Sequence, residues 1–156
     1  MKKTLIVSAA MLALVLAVSD RPIAATGDIS VTSAAVGIFP AGAQFNAVSL
    51  SGSTIGFGVE VRADGSAVGE FETVLLGTSL LGAAQNITVD GQVARGTTNS
   101  DGSVTFGGTG TVDLGTGQVL TNVPFSATVT ARGLQLVLGG TALPTQSLGA
   151  GAISIP

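Results

Sequence analysis

The sequence predicts an all-β protein: an antiparallel sandwich or barrel of about eight to nine strands, joined mostly as a meander. Three observations predict it. Apolar and polar residues alternate with period two, as in half-buried strands. No apolar set repeats at i, i+3, i+4, i+7 over successive turns, so no amphipathic helix is written past the N-terminal run. Gly-containing turn signals break the alternation every ~8–12 residues.

Residues 1–25 read as a secretory leader. Lys2 and Lys3 form the basic start, and Leu5 to Val18 form the apolar run. Small residues precede two cleavage points, one after Ala25 and an alternative after Ser19. The run is shorter than the ~20 apolar residues of a membrane span. Residues 26–156 are then a single all-β domain, with no later apolar run of membrane-spanning length. The expected strands are 28–36, 44–50, 54–62, 67–76, 86–98, 103–113, 119–130, 134–142 and 148–155.

The alternation is clearest in three places. Ile55, Phe57, Val59 and Val61 share one parity. Phe125, Ala127 and Val129 share another, as do Leu134, Leu136 and Leu138. Val104, Phe106, Val112 and Leu114 also keep one parity, with Gly108 and Gly110 between them. Turns are expected at Asp64-Gly65, Asp90-Gly91, Asp101-Gly102, Gly115-Thr116-Gly117 and Arg132-Gly133. Segment 77–85 fits a loop, a short helical turn or a continuing strand, and 139–152 fits a bulged last hairpin.

The first strand raises a question of its own. Residues 26–36, "TGDISVTSAAV", are short, nearly uncharged and β-compatible. They fit an ordinary first strand of their own domain. They also fit a strand donated to the open edge of a neighbouring molecule.

Charge concentrates in "VEVRADGSAVGEFET", Val59 to Thr73, which holds Glu60, Arg62, Asp64, Glu70 and Glu72. A three-residue loop Ala63-Asp64-Gly65, with Gly65 in the left-handed region, pairs residues whose numbers sum to 128. Phe57 then faces Phe71, Val59 faces Gly69, Val61 faces Ala67 and Ile55 faces Thr73. The acids fall on the opposite, wet face. A two-residue loop would push Glu70 and Glu72 into the apolar face, at a large desolvation cost.

Composition excludes several chemistries. The chain has no His, Cys, Trp or Tyr, and no Lys after residue 3. That removes the usual general base, the thiol nucleophile, the Schiff-base amine and the common transition-metal ligands. Without Cys there is neither a disulfide nor a lipoprotein anchor. Residues 26–156 hold three Arg against eight Asp and Glu, a net charge of −5. Three scattered Arg do not make a nucleic-acid footprint. The catalytic, cofactor-binding and metal-ligand sets are therefore all read as empty.

Other patterns have simpler accounts. The Asp-Gly pairs lack the converging oxygens that calcium needs and read as turns. "GGTGTVDLGTG", Gly107 to Gly117, lacks the Gly-Lys-Ser/Thr of a phosphate loop. Asn86-Ile87-Thr88 fits a glycosylation sequon. The threonines do not keep the spacing of an ice-binding face, and aromatic girdles of a membrane barrel are missing.

"IGFGVEVR" (Ile55 to Arg62), "DGSVTFGGTGTV" (Asp101 to Val112) and "VPFSATVT" (Val123 to Thr130) together resemble a loose class of short secreted bacterial β proteins. The resemblance implies export and an all-β fold, and it carries over no site residue.

The reading that results is a secreted, non-enzymatic structural or surface-assembly protein, a filament or extracellular-matrix subunit, self-associating through strand edges. A second reading is a β-barrel module holding a small apolar ligand, if inward Gly and Ala leave a cavity. A third is a carboxylate-dependent glycoside hydrolase built on Glu60, Glu70 or Glu72.

Overall fold

The computed structural model describes residues 27–156. The expected leader and both cleavage points lie outside the described residues. Every regular element among the described residues is a strand: β1 (Ile29–Ile38), β2 (Gln44–Phe45), β3 (Val48–Val61), β4 (Ser66–Thr78), β5 (Ile87–Thr98), β6 (Val104–Asp113), β7 (Val119–Thr130), β8 (Gly133–Leu138), β9 (Thr141–Ala142) and β10 (Gln146–Ser154).

Eight of these strands close a ring. From β3 to β8 each pairs antiparallel with its successor; β10 pairs β8, and β1 pairs both β10 and β3. β2 and β9 are two-residue arms on β3 and β8. The expected all-β, meander-connected architecture is thus present as a closed barrel. β1 is held within its own chain on both sides, which is the ordinary-first-strand reading of the 26–36 segment.

The acidic hairpin has the register that its parity demands. Ile55 pairs Thr73, Phe57 pairs Phe71, Val59 pairs Gly69 and Val61 pairs Ala67. Its turn is built by local chemistry. Gly65 takes φ 86°, where a side chain is strained. Its N–H donates to the Arg62 carbonyl at 3.0 Å, and the Arg62 N–H donates to the Ser66 carbonyl at 2.9 Å. Asp64 Oδ1 accepts from the Ser66 N–H at 2.8 Å and the Ser66 hydroxyl at 2.6 Å. The second Asp-Gly-Ser repeats this bond for bond. Asp101 Oδ1 accepts from Ser103 N–H at 2.9 Å and the Ser103 hydroxyl at 2.6 Å, with Gly102 at φ 82°.

Inward residues fill the barrel. Phe57, Phe71, Phe106 and Phe125 form an aromatic cluster in its middle, with ring centroids 5.1 Å apart for Phe57–Phe106 and 5.3 Å for Phe71–Phe125. Val31, Ile55, Val89, Val104, Ala127, Val129, Leu134 and Leu136 complete the lining. Burial of this kind is the main favourable term for a chain without disulfides.

Three boundaries differ from expectation, and the segment 77–85, open in the sequence, takes one of its alternatives. Asp90-Gly91 is no turn; it lies in mid-β5, paired with Glu72 and Phe71 on β4. A Cβ on Gly91 would stand 2.5 Å from Phe125 Cε1, so glycine here makes room for a ring from β7, two strands away. The expected strand 44–50 breaks at Asn46 and Ala47, both with positive φ, into β2 and the start of β3, which runs on through the expected 54–62 strand with a register shift between Leu50 and Gly52. The expected strand 134–142 breaks at Gly139 and Gly140, both with positive φ, into β8 and β9. Segment 77–85 continues β4 to Thr78 and then turns, with the Gly82 N–H donating to the Ser79 carbonyl at 2.9 Å.

Candidate functional site

The outside of the barrel divides into an acidic face and an apolar flank. The acidic face spans β3, β4 and β5. Period two puts Glu60, Glu70, Glu72 and Asp90 outward because Phe57, Phe71 and Val89 of the same strands point in. Glu72 sits directly opposite Asp90, and Glu70 opposite Gln92. Gln92 Nε2 donates to Glu70 Oε1 at 3.4 Å. Arg62 Nε meets Glu60 Oε1 at 3.2 Å, both side chains nearly half exposed at 44% and 49%. Such a pair contributes only ~0–1 kcal/mol.

An open groove of about 410 Å³ runs over this face, lined by Glu70, Glu72, Asp90 and Gln92 together with Gly56, Phe57, Gly58, Phe71 and Gly91. Its carboxylates lie in water. A glycosidase acid needs a desolvated pocket to hold its proton, and the rings of Phe57 and Phe71 point away from the groove into the core. The geometry brings Glu70, Glu72 and Asp90 onto one surface and leaves all three exposed. Among the described residues, no three acidic side chains are gathered as metal ligands.

Asp64 and Asp101 differ from the groove acids. Each is held below the usual carboxylate value of 3.8, first by the hydroxyl and then by the backbone N–H of the serine two residues on. Both are exposed turn residues, so these bonds build turns.

The apolar flank is the feature that strand patterning alone does not reveal. It crosses β4, β3, β1 and β10. Ile38 and Leu76 both pair with Gly52, and Val36 and Val74 both pair with Thr54. Val36 is 41% exposed, Ile38 50% and Leu76 36%. Ile38 also lies over Gly149 of β10, where a Cβ would come within 2.7 Å of Ile38 Cδ1. Ala34, Ala150 and Ala152 continue the surface. No charged residue lies in β1 or β10. One signal was readable beforehand: Val36 and Ile38 have the parity opposite to Val31.

The interior offers little room for a ligand. The buried apolar side chains form one core, and the space at Gly91 is taken by the Phe125 ring. "GGTGTVDLGTG" is strand β6 followed by a turn, so it has no helix to present to a phosphate. Apolar residues point in and carboxylates point out, the inverse of a lipid-spanning barrel with a polar lumen. No helix among the described residues is long and apolar enough to cross a membrane. Comparison with protein-family models, with curated proteins and with solved structures gives no match for this chain.

Proposed function

We propose that this chain is a secreted, non-enzymatic structural protein whose barrels associate with one another in a surface assembly, such as a filament or an extracellular matrix. The observation that carries the reading is the exposed apolar flank of Val36, Ile38, Val74 and Leu76, which carries no charge of its own. Exposed apolar side chains in one contiguous patch mark an interaction surface, whereas scattered ones do not. The filled interior favours this over a ligand carrier. The solvated carboxylates favour it over a hydrolase.

Sedimentation velocity over a wide concentration range tests it. Wild-type protein should form species larger than a monomer. Val36→Lys with Ile38→Lys should shift it to smaller species with unchanged circular dichroism. A wild-type protein that stays monomeric throughout overturns the assembly reading. Export is tested separately: protein recovered outside the producing cell should begin at Thr26, or failing that at Asp20. Recovery with Met1 retained overturns the leader.

A further inference from the structure

The ring is thinnest between β8 and β10. β10 pairs with β1 along Ser147–Ser154. On its other side it meets β8 at only two positions, Gln146 with Leu134 and Ser147 with Gly133. The Leu148 N–H then donates to the Arg132 carbonyl in the β7–β8 turn at 3.1 Å. Gly133 is the first residue of β8, so β10 runs on past the end of its neighbour. From Gly149 to Ser154 that side of the strand has no paired neighbour among the described residues.

We propose that this free edge pairs with the same edge of a second copy, antiparallel about a two-fold axis. The inference rests on the self-association reading and names its contact. The complement of a free strand edge is another extended backbone. No charge on the edge resists such a partner. Residues 147–156, "SLGAGAISIP", hold no Lys, Arg, Asp or Glu, so the usual charged guards are missing. Gly149, Ala150, Gly151 and Ala152 are small enough for two backbones to approach in any register within the segment.

The uncharged edge suits a second copy as its occupant. In an antiparallel two-fold contact the same segment meets itself, residue i opposite residue j and j opposite i, so an edge carrying one sign of charge would repel its copy. The strand carboxylates sit on one side of the barrel, with Glu60, Glu70, Glu72 and Asp90 across β3, β4 and β5. β1 and β10 carry none. Two copies therefore meet without opposed charges along β10, and the contact continues onto the Val36 and Ile38 flank beside it. The bulge at Gly149, where the β1 register shifts between Val36 and Gly37, and Pro156 limit the paired length. An isologous contact also closes on itself. The edge makes a dimer, and further growth has to use the flank.

The absence of cysteine makes a trapping experiment clean. Single variants Ala150→Cys, Ala152→Cys and Ser154→Cys place a thiol along the edge; Thr121→Cys on the exposed part of β7 is the control. A disulfide forms only when two Cα atoms come within ~7 Å. Mild oxidation should give a covalent dimer at one or more edge positions and none at the control. Ala152→Lys should remove the dimer in sedimentation, halving the mass, with circular dichroism unchanged. If the protein associates but no edge cysteine cross-links, or the control cross-links equally, the edge pairing is overturned and the assembly reading stands. If the protein is a monomer throughout, both fail.

Discussion

The Ser53 hydroxyl donates to Gln146 Oε1 across the inside of the barrel, joining β3 to β10 over 93 residues of sequence. Ser53 is 0% and Gln146 1% exposed. Gln146 also sits at one of the two pairs that join β10 to β8. Its Nε2 has no hydrogen-bond partner among the described residues. The thinnest seam of the ring is thus pinned by a buried polar pair that is only half satisfied.

Removing one member of this pair should cost more than removing both. Ser53→Ala leaves both ends of the Gln146 amide unpaired and should destabilise by ~1–3 kcal/mol. Adding Gln146→Leu removes the orphaned amide at similar volume, and the double variant should return toward wild type or exceed it. Urea melts of the single and double variants decide this. A double variant weaker than Ser53→Ala would show that the amide stabilises the seam through something other than Ser53.

The two faces of the acidic hairpin should respond in opposite ways. Phe57 and Phe71 are buried, 7% and 1% exposed, and truncating either to Ala should cost ~3–5 kcal/mol. Glu60→Gln should change stability by less than ~0.5 kcal/mol. Glu72→Gln or Asp90→Asn should raise the melting temperature slightly, because it relieves a like-charge pair placed directly opposite across β4 and β5. That gain should fade in ~1 M salt, where exposed charges are screened. Denaturant and thermal melts at two ionic strengths check the ranking.

Gly91→Ala should destabilise even though Gly91 lies in a strand, where alanine ordinarily suits the backbone better. The new Cβ would stand 2.5 Å from Phe125 Cε1, and overpacking of this kind costs ~1–3 kcal/mol. Phe125→Leu in the same chain should recover part of the loss. A Gly91→Ala protein as stable as wild type would mean that the ring moves freely, contrary to a packed core.

The twin Asp-Gly-Ser turns should lose their contribution in acid. The carboxyls of Asp64 and Asp101 are held below 3.8 in the folded protein by their serine partners. The unfolded chain therefore takes up protons first as pH falls. The stabilisation is whole above pH 3.8, the ordinary value, and disappears as pH drops through the lowered folded values. Ser66→Ala and Ser103→Ala should raise the matching aspartate's titration midpoint in a carbon-detected NMR titration. Their stability deficit at neutral pH should shrink toward zero in strong acid. A deficit unchanged by pH would assign the effect to the serines alone.

What the sequence by itself determined is what neighbours along the chain decide. Parity placed Phe57, Phe71 and Val59 inward and Glu60, Glu70 and Glu72 outward, since successive strand side chains alternate in direction. Asp64-Gly65-Ser66 closes its own turn, so the hairpin register followed from residues within one loop's reach. The acidic face was legible for the same reason. Tertiary structure alone decided what depends on distant partners. Closure needs β1 between β3 and β10, the two ends of the ring. Asp90-Gly91 has the local look of a turn, and only the Phe125 ring on β7, two strands away, explains a glycine there. The break at Gly139-Gly140 and the single run of β3 through Gly52 depend on which strand lies alongside. The apolar flank and free edge were hidden because β1, β4 and β10 are remote in sequence. Their small and apolar residues become one surface only when the barrel closes.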